Sequence, residues 1–319
     1  MGKKLTRLLG LVILGIILWR TDMEALGQTL AGCRILLVAA AFGMCLLAVV
    51  AKGLRWRQLL IAQGHSYPVH RAVMIYFSGL YIGLVTPGKL GELARMLYVK
   101  RDFNTSAGRA LSALVLDRVF DLYALLVVGL FACFRFDIIA GLSPVFLIFI
   151  AIVAVLPLVL LNPKLGRWFT VKVLGKTATK LSQLSTDGAN GFIGGTEELL
   201  SLRSLTAGVV LTVVAYVFVF WSGYLLTRSL SIDIGFLDAA LVLGLANLLS
   251  LIPITVAGVG TRDAVFVFVF GVLGIVQAQA LAFSALVLAN FYLGMGIVGL
   301  VFFYATSPMK RKEPRESAS

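Results

Sequence analysis

GLYIGLVTPGKLGELARMLYV (79–99) and NLLSLIPITVAGVGTRDAVFVF (247–268) interrupt an apolar run in the same way. Each carries an apolar helix into a proline, Pro87 or Pro253, and then into a glycine-rich turn, Gly88 and Gly91 or Gly258 and Gly260. Each turn opens a new helix bearing an acid and an arginine: Glu92 with Arg95, and Arg262 with Asp263. A break of this kind strands backbone N–H and C=O groups that lipid cannot satisfy, so it belongs inside protein or around a wet cavity. Paired breaks in two halves of one chain are the sequence pattern of a transport site near the bilayer midplane.

The rest of the chain fits that setting. Its 319 residues are 60% hydrophobic and 13% charged, with a mean hydropathy of +0.98, outside the range of a soluble domain. Apolar stretches lie near 5–19, 33–51, 72–86, 110–134, 142–161, 205–227, 236–253, 264–276 and 278–304. Those starting at 33, 110, 142, 205 and 278 reach or approach the ~20 residues of a crossing. The first, flanked by Lys3, Lys4 and Arg7 with no small-residue cleavage site after Trp19, reads as a signal anchor.

The broken segments read as re-entrant hairpins that leave and return on one side, which gives each half an odd number of crossings. The second half then enters the membrane upside down. The expectation is an all-α polytopic membrane protein, a single integral domain over 1–319. It comprises two inverted-topology repeats, about 5–134 and 142–304, each with a Pro/Gly-broken re-entrant helical hairpin. The alternative, in which the hairpins are full kinked spans, keeps the repeat and alters the sidedness. Residues 162–204 are expected to form an amphipathic interfacial connector, with Gly191, Gly194 and Gly195 giving slack before the next span, and 305–319 a basic tail.

A net charge of +13 would suggest nucleic acid in a soluble protein; here its distribution argues against that partner. The loops at 1–7, 52–71, 89–109, 162–204 and 305–319 share one face and hold most of the 28 Lys and Arg residues. The opposite loops hold Arg20, Arg34, Arg135, Arg228 and Arg262, and Arg118 lies within a span. By the positive-inside rule both termini are cytoplasmic, in the cytoplasmic (inner) membrane. The excess charge favours anionic headgroups. Cys33, Cys45 and Cys133 show no metal spacing, nor do His65 and His70, so no metal and no cofactor is expected.

Charges inside apolar segments are the candidate site, because one at the bilayer centre costs ~2.5–3.5 kcal/mol or more. Asp117 and Asp121 are one helical turn apart and share a face, with Arg118 about a quarter-turn away. Arg95 and Arg262, forked donors beside half-helix N-termini, suit a phosphate. Glu92, Asp117, Asp121 and Asp263 would hold those arginines, or one of them would carry a coupled proton. Asn247 and Asn290 would complete the second half-site. A purely structural ion-pair role for the acids is the competing account. No nucleophile, base or metal set accompanies them, so no enzymatic activity is expected.

At these residues the chain resembles the lysylphosphatidylglycerol synthase transmembrane-domain family, also called the flippase-like domain. The run Thr86-Pro87-Gly88-Lys89-Leu90-Gly91-Glu92 with Arg95, then Asp117-Arg118 and Asp121, carries the likeness. So does Pro253 with Gly258-Val259-Gly260-Thr261-Arg262-Asp263, where Asp263 stands in place of the expected Glu. The resemblance covers roughly 5–305. It implies a stand-alone member without the lysyl-transferase domain, moving an anionic lipid, a phospholipid or a polyprenyl-phosphate-linked one, between leaflets. A lipid-modifying enzyme is the protein partner it implies. The rival expectations are a membrane subunit of a lipid-linked glycosyl or aminoacyl transferase system, a secondary transporter of a small anion, and a non-transporting scaffold.

Overall fold

A computed structural model describes residues 23–86, 91–138, 182–250 and 260–306, with isolated positions at 151 and 154–155. The predicted stretches 5–19 and 142–161 lie essentially outside them. So do residues 162–181 of the connector, the tail beyond residue 306, and the break residues Pro87, Gly88, Pro253 and Gly258.

Among the described residues the chain is helical, without strands. A short α1 (Met23–Ala31) precedes α2 (Ile35–Ala62), α3 (Val69–Val85), α4 (Ala94–Phe103) and α5 (Ala107–Arg135). Then come α6 (Ser182–Leu199), α7 (Leu202–Ser229), α8 (Phe236–Leu249) and α9 (Thr261–Val272). The last rod starts as α10 (Gln277–Val287), passes through a π-helical turn at Leu288–Gly294 and ends as α11 (Met295–Thr306). Among the described residues, three helices are long and apolar enough to cross a membrane: Ile35–Ala62, Leu202–Ser229 and Gln277–Thr306. Their outer faces carry Val209, Val213 and Val217 on α7, and Ile297 and Val301 on α11, at helical spacing and exposed. A soluble protein would not leave such stripes bare. This is a multi-pass α-helical membrane protein.

Three pairings join the first half of the chain to the second. Helices α2 and α7, each 28 residues long, pack antiparallel. Arg34 N–H donates to the Ser229 carbonyl (2.9 Å), Cys45 Sγ meets Ser222 Oγ (3.1 Å), and Arg55 reaches Thr212 Oγ1 (2.9 Å). Helix α3 runs antiparallel to α11, with Ser78 against Thr306 (2.9 Å) and the Tyr81 ring tilted against that of Phe303. Helix α8 runs antiparallel to α5, with Arg135 bridging to Asp238 (3.1 Å) and Leu248 seated at Gly129. The ends of α2 and α7 match as well. Gly64 and Ser231 both take positive φ two residues past the helix, and the next N–H returns to Leu60 or Thr227 in a Schellman-type closure.

Helix α4 folds back along α3. Gly91 abuts the backbone of Ile82, and its N–H donates to Thr86 Oγ1 (2.7 Å), which itself donates to the Ile82 carbonyl (2.8 Å). Gly83 and Gly79 leave room for the side chains of Glu92 and Arg95, which pack against them. At the open end, Asp102 accepts from Tyr67 Oη (2.9 Å) and Arg71 (2.7 Å), and Phe103 packs on His65 and Tyr67. The α4 C-terminus has thus returned to the level where α3 began.

Burial alone would raise the Asp102 carboxyl, but donors on Arg101, Tyr67 and Arg71 hold it below its ordinary value. A lowered folded-state value means the staple is fully present above the ordinary carboxylate pKa and fades as pH falls through the lowered one. Asp102→Asn is therefore expected to lose roughly 1–2 kcal/mol at neutral pH, discounted for the half-exposed arginines. Thermal unfolding in detergent checks this: the gap from wild type should close in acid.

Two expectations are corrected. Residues 52–62 are not loop: α2 continues to Ala62 and takes Lys52 and Arg55 with it. The run Gly191–Gly195 gives no slack either. It is helical within α6, where Gly191 and Gly195 let the helix close on Ser106 and Ser112 of α5, and Arg109 clamps the contact to Glu198 (2.8 Å).

Candidate functional site: a charged cavity between two helix pairs

Seven charged side chains from α2, the α3–α4 hairpin and α5 meet in the interior. Asp117, fully buried, accepts on Oδ1 from Arg55 Nε (2.9 Å) and on Oδ2 from both terminal nitrogens of Arg95 (3.2 Å each) and from Arg118 (3.1 Å). Asp121 accepts from Arg55 (3.0 Å) and pairs with Lys52 (3.0 Å) and, more distantly, Arg118 (3.7 Å). Glu92 holds Arg118 (2.8 Å) and Arg95 (3.4 Å). The one-turn spacing of Asp117 and Asp121 makes this convergence possible, since both point to one side of α5.

Aromatic and hydroxyl groups complete the shell. Arg95 stacks over Tyr76 (4.3 Å) and Lys52 over Tyr216 (4.7 Å), Tyr76 Oη accepts from Arg118 (3.0 Å), and Thr212 Oγ1 accepts from Arg55 (2.9 Å). Arg55 spends all three nitrogens on this shell and is 0% exposed. It is the keystone of the cluster, and desolvated ion pairs hold only when so saturated.

A cavity of about 200 Å³ opens beside the cluster. Lys52, Glu92, Arg118 and Asp121 form its charged end. Cys45 and Ala48 on α2, and Leu125 on α5, continue its wall at helical spacing, so it runs along the helices for about two turns, roughly 10 Å. The second half of the chain contributes Asn247 and Ser250 at the end of α8 and Phe291 and Tyr292 from the π-helical turn, together with Tyr216 and Val219 of α7 and Val287 and Met295 on either side of the turn. A π turn re-aims side chains out of the α-helical register and is common at functional sites.

The predicted site residues divide accordingly. Glu92, Arg118, Asp121 and Asn247 line the cavity, while Arg95 and Asp117 sit in the same cluster without lining it. Arg262 and Asp263 form a separate buried group at the start of α9. Asp263 accepts the Gly260 N–H (2.8 Å), where Gly260 has φ +88°, and also the Ser284 hydroxyl. Arg262, 1% exposed, lies over the rings of Phe266 and Tyr292; its Nε and one terminal nitrogen find no hydrogen-bond partner among the described residues. Tyr292 is thus the link between this group and the cavity. Asn290 is buried in the π turn and donates back to the Leu286 carbonyl (3.1 Å).

The Lysylphosphatidylglycerol synthase TM region family matches residues 7–299. The chain belongs to that family. Among curated proteins, this family member is similar to two UPF0104 membrane proteins of Methanocaldococcus jannaschii. One is 24% identical over 271 residues (78% of each chain); the other is 25% identical over 245 residues (74% of this chain and 98% of the relative). A UPF0104 membrane protein of Methanothermobacter thermautotrophicus is 25% identical over 283 residues, covering 83% of this chain and 81% of its own. No solved structure matches.

Sequence reasoning missed Lys52, Arg55, Tyr76, Thr212 and Tyr216. The first two had a readable signal. No proline follows the apolar run until Pro68, and Trp56, Leu59 and Leu60 continue a buried face past Arg55. That pattern extends a helix rather than ending one.

Proposed function

We propose that this member of the lysylphosphatidylglycerol synthase TM-region family translocates an anionic lipid headgroup between the leaflets of the cytoplasmic membrane. The observation that carries the reading is the cavity: charged at one end, apolar along its length, and lined by residues from both halves of the chain. A headgroup would bind Lys52 and Arg118, which line the cavity, with Arg55 and Arg95 as their supports. This moves the contact from Arg95 to Arg118, while Arg262 acts on the cavity through Tyr292.

The inverted repeat and re-entrant hairpins belong to the same proposal. Helix α2 is the counterpart of α7, α3 of α8, and α5 of the α10–α11 rod. The reciprocal packing, α3 on α11 and α8 on α5, is what a two-fold relation would produce. The antiparallel run of α2 against its own counterpart α7 supports an axis in the membrane plane rather than along its normal. The return of α4 to the start of α3 supports a hairpin that enters and leaves on one face. Arg57, Arg71, Lys100, Arg101, Arg109 and Arg203 at that face, against Arg34, Arg135 and Arg228 opposite, favour cytoplasmic termini even with Lys52, Arg55 and Arg95 removed from the count.

The test is flux of fluorescent phosphatidylglycerol in proteoliposomes, read by quenching of the outer leaflet. Wild type should move the lipid, and Lys52→Gln and Arg118→Gln should each slow it at least about tenfold while eluting as monodisperse protein. Equal movement in protein-free vesicles and with wild type would refute the reading.

A further inference from the structure

The charge cluster has a definite sum, and the sum points to a ligand valence. Lys52, Arg55, Arg95 and Arg118 face Glu92, Asp117 and Asp121, so four cations meet three carboxylates and one positive charge is left over. Every carboxylate already serves two or more cations. Among the described residues, no further acidic side chain lines the cavity. Arg55 and Arg95 are sealed in, with side chains 0% and 1% exposed, whereas Lys52 and Arg118, at 18% and 38%, present the surplus to the cavity. An uncompensated charge in a poorly hydrated site is unfavourable, and a ligand that cancels it gains the difference.

We infer that the cavity selects a singly charged phosphodiester whose headgroup carries no cation and no second acid. Two non-bridging phosphate oxygens would take donors from Lys52 and Arg118. A phosphomonoester dianion would leave the site one charge negative. A zwitterionic headgroup would bring an ammonium into a pocket that already holds the surplus cation. Beyond the charged end the lining is neutral, with Asn247 and Ser250, which suits a hydroxylated substituent on the phosphate. This selectivity rests on the proposed headgroup binding and refines it to a substrate class.

The experiment measures binding, separately from transport, to the full chain in detergent at about pH 8, where a phosphomonoester is a dianion. The ligands are dioctanoyl phosphatidylglycerol, phosphatidate and phosphatidylethanolamine, with dimethyl phosphate as a tail-free diester. Phosphatidylglycerol should bind at least about tenfold more tightly than phosphatidate or phosphatidylethanolamine. Glu92→Gln, which raises the cluster by one charge, should move the preference towards phosphatidate. Lys52→Gln, which neutralises it, should erase the advantage of phosphatidylglycerol over phosphatidylethanolamine. Equal binding of the three lipids by wild type, or an unchanged ranking in both monodisperse variants, overturns the inference even if lipid flux is observed. Dimethyl phosphate binding as tightly as phosphatidylglycerol, with the variant shifts as stated, upholds the charge matching and instead sinks the lipid reading in favour of a small-anion site.

Discussion

Arg55→Met should be the most damaging single substitution in the protein, with an expected loss of about 3–5 kcal/mol. Among the described residues Asp117 Oδ1 accepts from Arg55 alone, and both side chains are 0% exposed. Removal of the guanidinium leaves a buried carboxylate oxygen without a donor, takes the second donor from the Asp117 carbonyl and weakens the hold on Asp121. Arg55→Lys should recover little, because an ammonium cannot supply the fork that joins Asp117, Asp121 and Thr212. The double variant Arg55→Met/Asp117→Asn removes both charges and should cost less than the two single losses added together. Thermal unfolding and size-exclusion profiles in detergent measure all of these. An Arg55→Met protein as stable as wild type would show that the cluster is not held by this residue.

Gly91→Ala should abolish transport with only a modest effect on stability. An added Cβ would collide with the carbonyl of Ile82, which is backbone and is tied in place by Thr86. The tip must open, and Glu92 and Arg95 ride on the residues that move. A displacement of about 1 Å in groups that position a ligand costs on the order of a hundredfold in rate. The bundle itself is held by α2 with α7, α3 with α11 and α5 with α8, none of which passes through Gly91. Flux falling about a hundredfold, with the unfolding midpoint shifted by only a few degrees, is the expected pair of results. Unchanged flux would remove the hairpin tip from the mechanism.

Glycine and proline punctuation made the breaks legible, and hydropathy placed most of the apolar helices to within a few residues, because both signals are local; it stopped α2 at residue 51, eleven residues short of Ala62, and gave no sign of α4 or α6. The buried acids were legible too: a charge in an apolar run demands a partner, and Asp117, Arg118 and Asp121 found theirs. Arg55 was harder, since basic residues after an apolar run also mark the membrane edge, and only the continuing face of Trp56, Leu59 and Leu60 separates the two cases. Thr212 and Tyr216 sit about 160 residues away on α7. Their role arises from the antiparallel seating of α7 on α2, which no local pattern encodes. The glycines of α6 illustrate the same limit: composition reads Gly191 and Gly195 as slack, whereas packing uses the missing side chains to bring two helices together.

The proposed transport requires a lipid headgroup in the cavity between the two halves. A photo-crosslinking amino acid at Phe291, which lines the cavity, compared with one at the exposed Phe134, tests it in native membranes without choosing the lipid in advance. Mass spectrometry of the adducts should find a singly charged phosphodiester lipid enriched at position 291, and Arg118→Gln should remove that enrichment. Position 134 should capture bulk lipid in both backgrounds. The same lipids at both positions, or capture at 291 indifferent to Arg118, would contradict the account.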